Sequence, residues 1–139
     1  MTIFKWPFEA LGGVMHKSRL AGFIIDCKAD DVGVAAEFWS KALGYSIIKS
    51  NDPEEAKYRS LDTPTGEVHI EVQAVDHESR VHIDIETDDI EAEVARLKIS
   101  GAKVIKHVRT WCVMEAPTGQ RFCVVNAIRT DFTQRANQW

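Results

Sequence analysis

Residues 81–97, which read VHIDIETDDIEAEVARL, decide the fold of this chain. Apolar and polar residues alternate through its first half, with Val81, Ile83 and Ile85 set against His82, Asp84 and Glu86. A period of two is typical of a strand that has one apolar face and one wet or functional face. The second half predicts a helix that Asp88 begins, as a capping box with Glu91, and that Gly101 ends.

An earlier copy of this strand and helix start begins at Phe23. Residues 25–27 (IDC) align with residues 83–85 (IDI), and residues 30–32 (DDV) align with residues 88–90 (DDI). The turn at 64–66 (PTG) likewise recurs at 117–119 (PTG). Such internal similarity, in the same order twice, predicts a duplicated module.

The elements between these landmarks predict that each module is β-α-β-β-β, with strands that include 45–49 and 58–61 in the first module and 121–126 in the second. We therefore expect an α+β fold, in which two tandem βαβββ modules form a curved mixed sheet around a cavity and the helices lie on the outside. The expected parts are an N-terminal arm (1–19), a paired-module domain (20–126, with modules 20–75 and 80–126) and a C-terminal tail (127–139). Phe38 and Trp39 are expected to pack in the core, from the inner face of the first helix.

Charge and composition exclude several classes of partner. The chain has 17 basic and 21 acidic residues among 139, a net charge of −4, which argues against general binding to nucleic acid. No apolar run is long enough for a signal peptide or a membrane span. The three cysteines are too few and too far apart for a zinc ribbon or a disulfide framework, so we expect a cytoplasmic protein.

Alternation in the first strand of each module brings polar side chains to one face. His82 and Asp84 share the face away from the helix in the second module, and the repeat puts Asp26 on the matching face of the first. Two carboxylates in a partly dry pocket would raise one pKa into the range of a general base. In the alternative, each carboxylate accepts hydrogen bonds from its neighbours and only shapes the barrel. His16, His77 and His107 lie in arm or loop segments and suggest no function.

The repeat, together with His82 in the first strand of the second module, resembles the vicinal oxygen chelate superfamily of glyoxalase I, bleomycin-resistance proteins and extradiol dioxygenases. Within that superfamily the chain resembles the uncharacterised glyoxalase-like proteins. The resemblance covers roughly residues 20–126 and is carried by four runs: 23–27 (FIIDC), 37–44 (EFWSKALG), 81–89 (VHIDIETDD) and 111–125 (WCVMEAPTGQRFCVV). It implies the fold more strongly than a reaction, because this fold supports several chemistries.

Metal-using members of the superfamily take four ligands from the first and last strands of the two modules. The resemblance places these four positions at Ile24, Glu71, His82 and Cys123. Ile24 has no donor atom, and hard divalent metals prefer more oxygen and imidazole ligands than the rest supply. We therefore expect no resident metal, and we keep His82 and Glu71 as the candidates for a divalent ion. His82 is otherwise a proton shuttle, or a histidine hydrogen-bonded to Glu71 or Asp84.

Three further residues are candidates for ligand contact. His69 shares a strand face with Glu71, Trp111 could stack on a planar ligand or pack in the core, and Cys123 is either a nucleophile beside a base or a buried thiol.

The resemblance implies a homodimer that binds a small organic molecule in a sheet-lined cavity. If the chain is a lyase- or isomerase-type enzyme, His82, Glu71, Asp84 and Asp26 would transfer protons on a carbonyl or enolisable substrate. One alternative is a non-catalytic protein that binds an antibiotic or metabolite, as the bleomycin-resistance type does. Another is an interaction module whose barrel is filled. Proton-transfer groups within hydrogen-bond reach would favour the enzyme, and polar groups already paired with each other would favour the binding protein.

Overall fold

A computed structural model describes residues 15–139, except for the side chain of Glu54. The predicted arm therefore lies largely outside the described residues. In the described range the chain has eight strands: β1 (Lys17–Lys28), β2 (Tyr58–Leu61), β3 (His69–Val75), β4 (Arg80–Thr87), β5 (Lys103–Val108), β6 (Trp111–Glu115), β7 (Arg121–Asn126) and β8 (Asn137–Gln138). The α-helices in that range are α1 (Val32–Leu43), α2 (Ile90–Ile99) and α3 (Phe132–Arg135), and a short 3₁₀ helix spans Pro53–Glu55. The mixed sheet and the outlying helices confirm the α+β class.

The chain divides into two compact units. Unit 2 is Gly22–His82, and unit 1 is Ile83–Trp139 together with the segment that ends at Ala21. Strand β1 begins in unit 1 and ends in unit 2, and β4 begins in unit 2 and ends in unit 1. The predicted module boundaries at 20–75 and 80–126 stay a prediction. None of the helices within 15–139 has the length and apolar character that crossing a bilayer requires.

Unit 2 is built on two parallel strands. β3 pairs in parallel with β1 and antiparallel with β2. Helix α1 packs on one side of these strands, where Val32 and Ala36 meet Leu61 and Val72 in the core. Its N-cap is Asp31, whose Oδ1 accepts the Gly33 N–H at 2.8 Å. Gly44 ends α1, as predicted, in the left-handed conformation with φ of 77°.

Two expectations for unit 2 are wrong. Phe38 was expected in the core, but it is 62% exposed. Helix α1 instead contacts the sheet through the face that carries Val32 and Ala36. Trp39 lies close enough to that face to pack against the core, whereas Phe38 points away from it. The second strand, expected at 45–49, is reduced to a single bridge between Ile47 and Leu61.

Unit 1 repeats the same plan. β4 pairs in parallel with β7, and β6 pairs antiparallel with both β7 and β5. Helix α2 packs on this sheet through Val94 against Cys112, Met114 and Val124. Its N-cap is Asp89, which accepts the Ala92 N–H at 3.0 Å, and not the predicted Asp88.

Asp88 does not cap α2, because its carboxylate makes a different hydrogen bond. Its Oδ1 accepts the backbone N–H of Lys17 at 2.8 Å, which ties the start of β1 to the end of β4.

On β4 apolar side chains are exposed and polar ones are buried, which is the opposite of what their polarity predicts. Val81 and Ile83 are 60% and 43% exposed, whereas Asp84 is 9% exposed and Glu86 is fully buried. Within unit 1 the reason is the C-terminal segment, residues 127–139. Glu86 Oε1 accepts the backbone N–H groups of Ile128 and Arg129 at 2.8 and 3.0 Å, so this segment covers the polar side of β4.

The predicted tail is thus an ordered part of unit 1. Strand β8 pairs with the beginning of β1, and helix α3 precedes it. The Trp139 indole N–H donates to Ser18 Oγ at 2.7 Å, and its ring stacks on the Arg96 guanidinium at 3.7 Å. These contacts hold the end of the chain against the sheet.

His16, to which we assigned no function, lies in a buried charged cluster of unit 1. Its Nε2 is 2.8 Å from Glu93 Oε1, and Arg96 holds the two oxygens of Glu93 at 2.8 Å each. Burial alone would raise the Glu93 pKa, but the hydrogen bonds from Arg96 and His16 outweigh it and lower that pKa. The cluster anchors α2 to the start of β1.

Candidate functional site

One face of the unit 2 sheet carries the buried Asp26 and several half-buried polar side chains. Ile70, Val72 and Ala74 of β3 face α1, so His69, Glu71 and Gln73 point to the opposite side. The register places Asp26 of β1 and Tyr58 of β2 beside Gln73. We call this the polar face; it comprises Asp26, Tyr58, His69, Glu71, Gln73 and His82.

Asp26 and His82 form the tightest pair on the polar face. His82 Nδ1 lies 2.8 Å from Asp26 Oδ2, which identifies a partner for His82 that the sequence analysis did not name. The carboxylate side chain is 2% exposed and the imidazole is 12% exposed, so the pair is largely removed from water. The other carboxylate oxygen, Asp26 Oδ1, is buried and has no hydrogen-bond partner among the described residues.

With an ionised Asp26, this geometry favours one tautomer of the histidine. A carboxylate can only accept, so Nδ1 carries the proton that is shared with Asp26. In the neutral ring the lone pair is then on Nε2. An imidazole held in this way can take up a proton from a carbon acid and return it.

The other residues of the polar face pair with each other. His69 Nε2 and Glu71 Oε2 are 3.4 Å apart, and both side chains are about one-fifth exposed. The Gln73 amide donates to the Tyr58 hydroxyl at 3.1 Å. Tyr58 and Gln73 were not predicted, although their alternation within β2 and β3 is a signal that could have found them.

The remaining candidates lie in unit 1, on the face opposite α2. Asp84 and Cys123 are register neighbours on β4 and β7, and Cys123 is also the register partner of Val113 on β6. Trp111, two residues before Val113, shares this face and is half-buried. Carboxylate and thiol are donors of the metal-ligand type, and His82 precedes Asp84 by two positions on β4.

The superfamily's four ligand positions do not make a full ligand set in this chain. Ile24, in the first position, is 3% exposed and is the register partner of Glu71, so an aliphatic side chain fills the place beside that carboxylate. Glu71 is in contact with His69, and Nδ1 of His82 is held by Asp26. This donor set does not fit the metal site of the superfamily.

A pocket of about 740 Å³ lies in unit 2, where the parallel strands β1 and β3 end. The pocket was not predicted, although the carboxyl ends of parallel strands are a common place for ligands. Gln73 belongs both to its wall and to the polar face. The lining residues are Lys28, Ala29, Asp30, Val32, Ala56, Lys57, Gln73, Ala74, Val75, Asp76 and His77.

Solved structures with the same fold include two kinds of protein. A hypothetical protein from Bacillus halodurans C-125 is 14% identical with a TM-score of 0.59, over 81% of this chain and 96% of its own. Methylmalonyl-CoA epimerase from Mycobacterium tuberculosis is 16% identical with a TM-score of 0.58, over 78% and 87%. The Streptomyces coelicolor epimerase, in complex with 2-nitronate-propionyl-CoA, is 16% identical with a TM-score of 0.54, over 78% and 98%.

The family comparison is more specific than these likenesses of fold. Comparison with curated proteins finds no significant match. The model of the glyoxalase-like domain matches residues 22–125, which is most of the chain. This match confirms the resemblance to the vicinal oxygen chelate superfamily. The chain belongs to the glyoxalase-like domain family.

Proposed function

We propose that this protein binds a small organic molecule against the polar face and transfers a proton on a carbonyl or enolisable substrate, as a lyase- or isomerase-type enzyme. The observation that carries the proposal is the 2.8 Å contact between His82 Nδ1 and the buried Asp26 carboxylate. His82 is the general base and acid, and Asp26 holds its ring. Glu71 and Asp84 stay candidates for the same reaction, and His69, Trp111 and Cys123 stay candidates for ligand contact.

The chemical step needs no further group to begin. His82 Nε2 removes a proton from the carbon next to a carbonyl, and the electron pair of the broken C–H bond moves onto the carbonyl oxygen as an enolate. The imidazolium that forms is stabilised by the negative charge of Asp26. Return of the proton to carbon restores the neutral imidazole.

The solved structures support a ligand of this general kind. Two of them are epimerases, and one is described in complex with 2-nitronate-propionyl-CoA, so a protein of this fold can bind an acyl-CoA ligand. We further propose that the protein is a cytoplasmic homodimer, as the sequence led us to expect.

A second candidate function is non-catalytic binding of a small molecule, of the bleomycin-resistance type. It is favoured by the pairing of polar groups with each other, since Tyr58 with Gln73 and His69 with Glu71 leave fewer groups for a substrate.

Exchange of carbon-bound hydrogen for deuterium distinguishes the two functions. The probe is 2-oxobutanoate in D₂O, whose methylene signal is followed by proton NMR with the full chain. We expect the protein to accelerate exchange, and we expect His82→Gln to reduce that acceleration about 100-fold or more, because the base is removed.

His107→Gln is the matched control, since His107 is an exposed histidine of β5 in unit 1, outside the pocket and the polar face. It should leave the exchange rate unchanged. If the wild-type protein binds the probe without accelerating exchange, the binding protein is the correct interpretation. Full activity in His82→Gln would also contradict the proposal.

A further inference from the structure

Arg80 is the first residue of β4 and lies next to the Asp26–His82 pair. It precedes His82 by two positions, so its side chain leaves the strand on the same side. Arg80 Nε is 3.7 Å from Asp26 Oδ2, which is an ion-pair distance but too long for a hydrogen bond. The guanidinium makes no hydrogen bond to any residue of 15–139, and its side chain is 49% exposed.

The other nearby cation is already engaged. Lys28 follows Asp26 by two positions on β1, and its ammonium donates to Glu78 at 2.8 Å. Of these two cations beside the Asp26–His82 pair, Arg80 is therefore the one whose N–H groups can still donate to a ligand. A guanidinium presents its N–H groups as a rigid fork that matches the two oxygens of a carboxylate.

We propose that Arg80 binds a carboxylate of the substrate, so that the substrate class is carbonyl compounds that carry a carboxylate close to the acidic carbon. Side chains two positions apart on a strand are about 7 Å apart. That spacing fits a carboxylate on Arg80 and an acidic carbon near His82 that are separated by two or three bonds. The reaction itself rests on the proposed function, whereas the carboxylate contact can be tested without it.

The test is a comparison of two probes, 2-oxobutanoate and its neutral methyl ester, titrated into the full chain and followed by NMR. The acid should bind about 10-fold more tightly than the ester and should shift the Arg80 Nε–H resonance. Arg80→Met should bring the two affinities together. Arg80→Lys, which keeps the charge but loses the fork, should give an intermediate ratio.

Lys49→Met is the matched control, because it removes an exposed positive charge elsewhere in unit 2. It should leave the ratio unchanged. Equal affinities for acid and ester, a failure of the acid to shift Arg80, or an unaltered ratio in Arg80→Met would each overturn the inference. Tight binding of the acid through Arg80 without hydrogen exchange would instead refute only the proposed function.

Discussion

Replacing Glu86 by alanine is expected to lower the free energy of unfolding by about 3–5 kcal/mol, because it leaves two arginines without their shared partner. Glu86 is fully buried, and its Oε2 is 3.0 Å from Arg19 Nε and 2.8 Å from Arg129 Nε. The two backbone N–H groups of the C-terminal segment that bind its Oε1 also lose their acceptor. The loss is comparable with the total stability of many domains.

The same carboxylate gives the stability of the protein a dependence on pH. Burial alone would raise the Glu86 pKa, but the bonds from Arg129, Ile128 and Arg19 outweigh it, so the pKa lies below its ordinary value of 4.5. Because the folded pKa is the lower one, Glu86 stabilises the fold above pH 4.5. That contribution is lost as the pH falls from there through the folded pKa. Glu86→Ala should therefore differ most from wild type near neutral pH and converge with it in acid.

Urea unfolding followed by tryptophan fluorescence measures both effects. Glu115→Ala is the matched control in the same unit, since Glu115 pairs with Arg121 on the surface and should cost about 1 kcal/mol or less. If Glu86→Ala costs no more than Glu115→Ala at neutral pH, the C-terminal segment is not held as described.

Replacing Asp26 by asparagine is expected to reduce the hydrogen exchange of 2-oxobutanoate by roughly 100- to 10,000-fold, while its affinity changes little. The amide has nearly the same shape as the carboxylate, but it lacks the negative charge that stabilises the imidazolium. Its NH₂ group can also donate to His82 Nδ1, which would move the ring proton to Nε2 and remove the basic atom.

Rates and affinities have to be measured separately here, because Asp26 acts through His82. The matched control is Asp62→Asn, an exposed carboxylate of unit 2 outside the pocket, which should leave both quantities unchanged. A rate in Asp26→Asn above about one-tenth of the wild-type rate would show that His82 needs no carboxylate partner. The urea midpoint of each variant shows whether the fold is retained.

Much of the fold could be predicted because local patterns determine it. The strands at Tyr58–Leu61 and Arg121–Asn126 have the predicted bounds, since alternation and the turns before them are visible in a short window. Gly44 ends α1 as expected, because its left-handed backbone favours glycine.

The features that could not be predicted from the sequence depend on contacts between residues far apart in the chain. The buried state of Glu86 is set by Arg19 and by a segment that shows no periodicity, so β4 has its polar side inside. His16 likewise meets Glu93, 77 positions away. No window of sequence contains both partners of such a pair.

The candidate site was predicted in part. His82 and Asp26 followed from alternation and from the repeat, but their contact with each other joins residues 56 positions apart and is visible only in the structure. Arg80 was missed because nothing in its neighbours distinguishes it from an ordinary surface arginine. Its place two residues before His82 on a strand is the signal that could have found it.

The protonation of the His82 ring tests the central claim most directly, and nitrogen-15 NMR of the wild-type chain measures it. In the neutral ring the Nδ1 resonance should be that of a protonated nitrogen and the Nε2 resonance that of an unprotonated one, and Asp26→Asn should change both. A neutral ring with its proton on Nε2, unaffected by Asp26→Asn, would contradict the account.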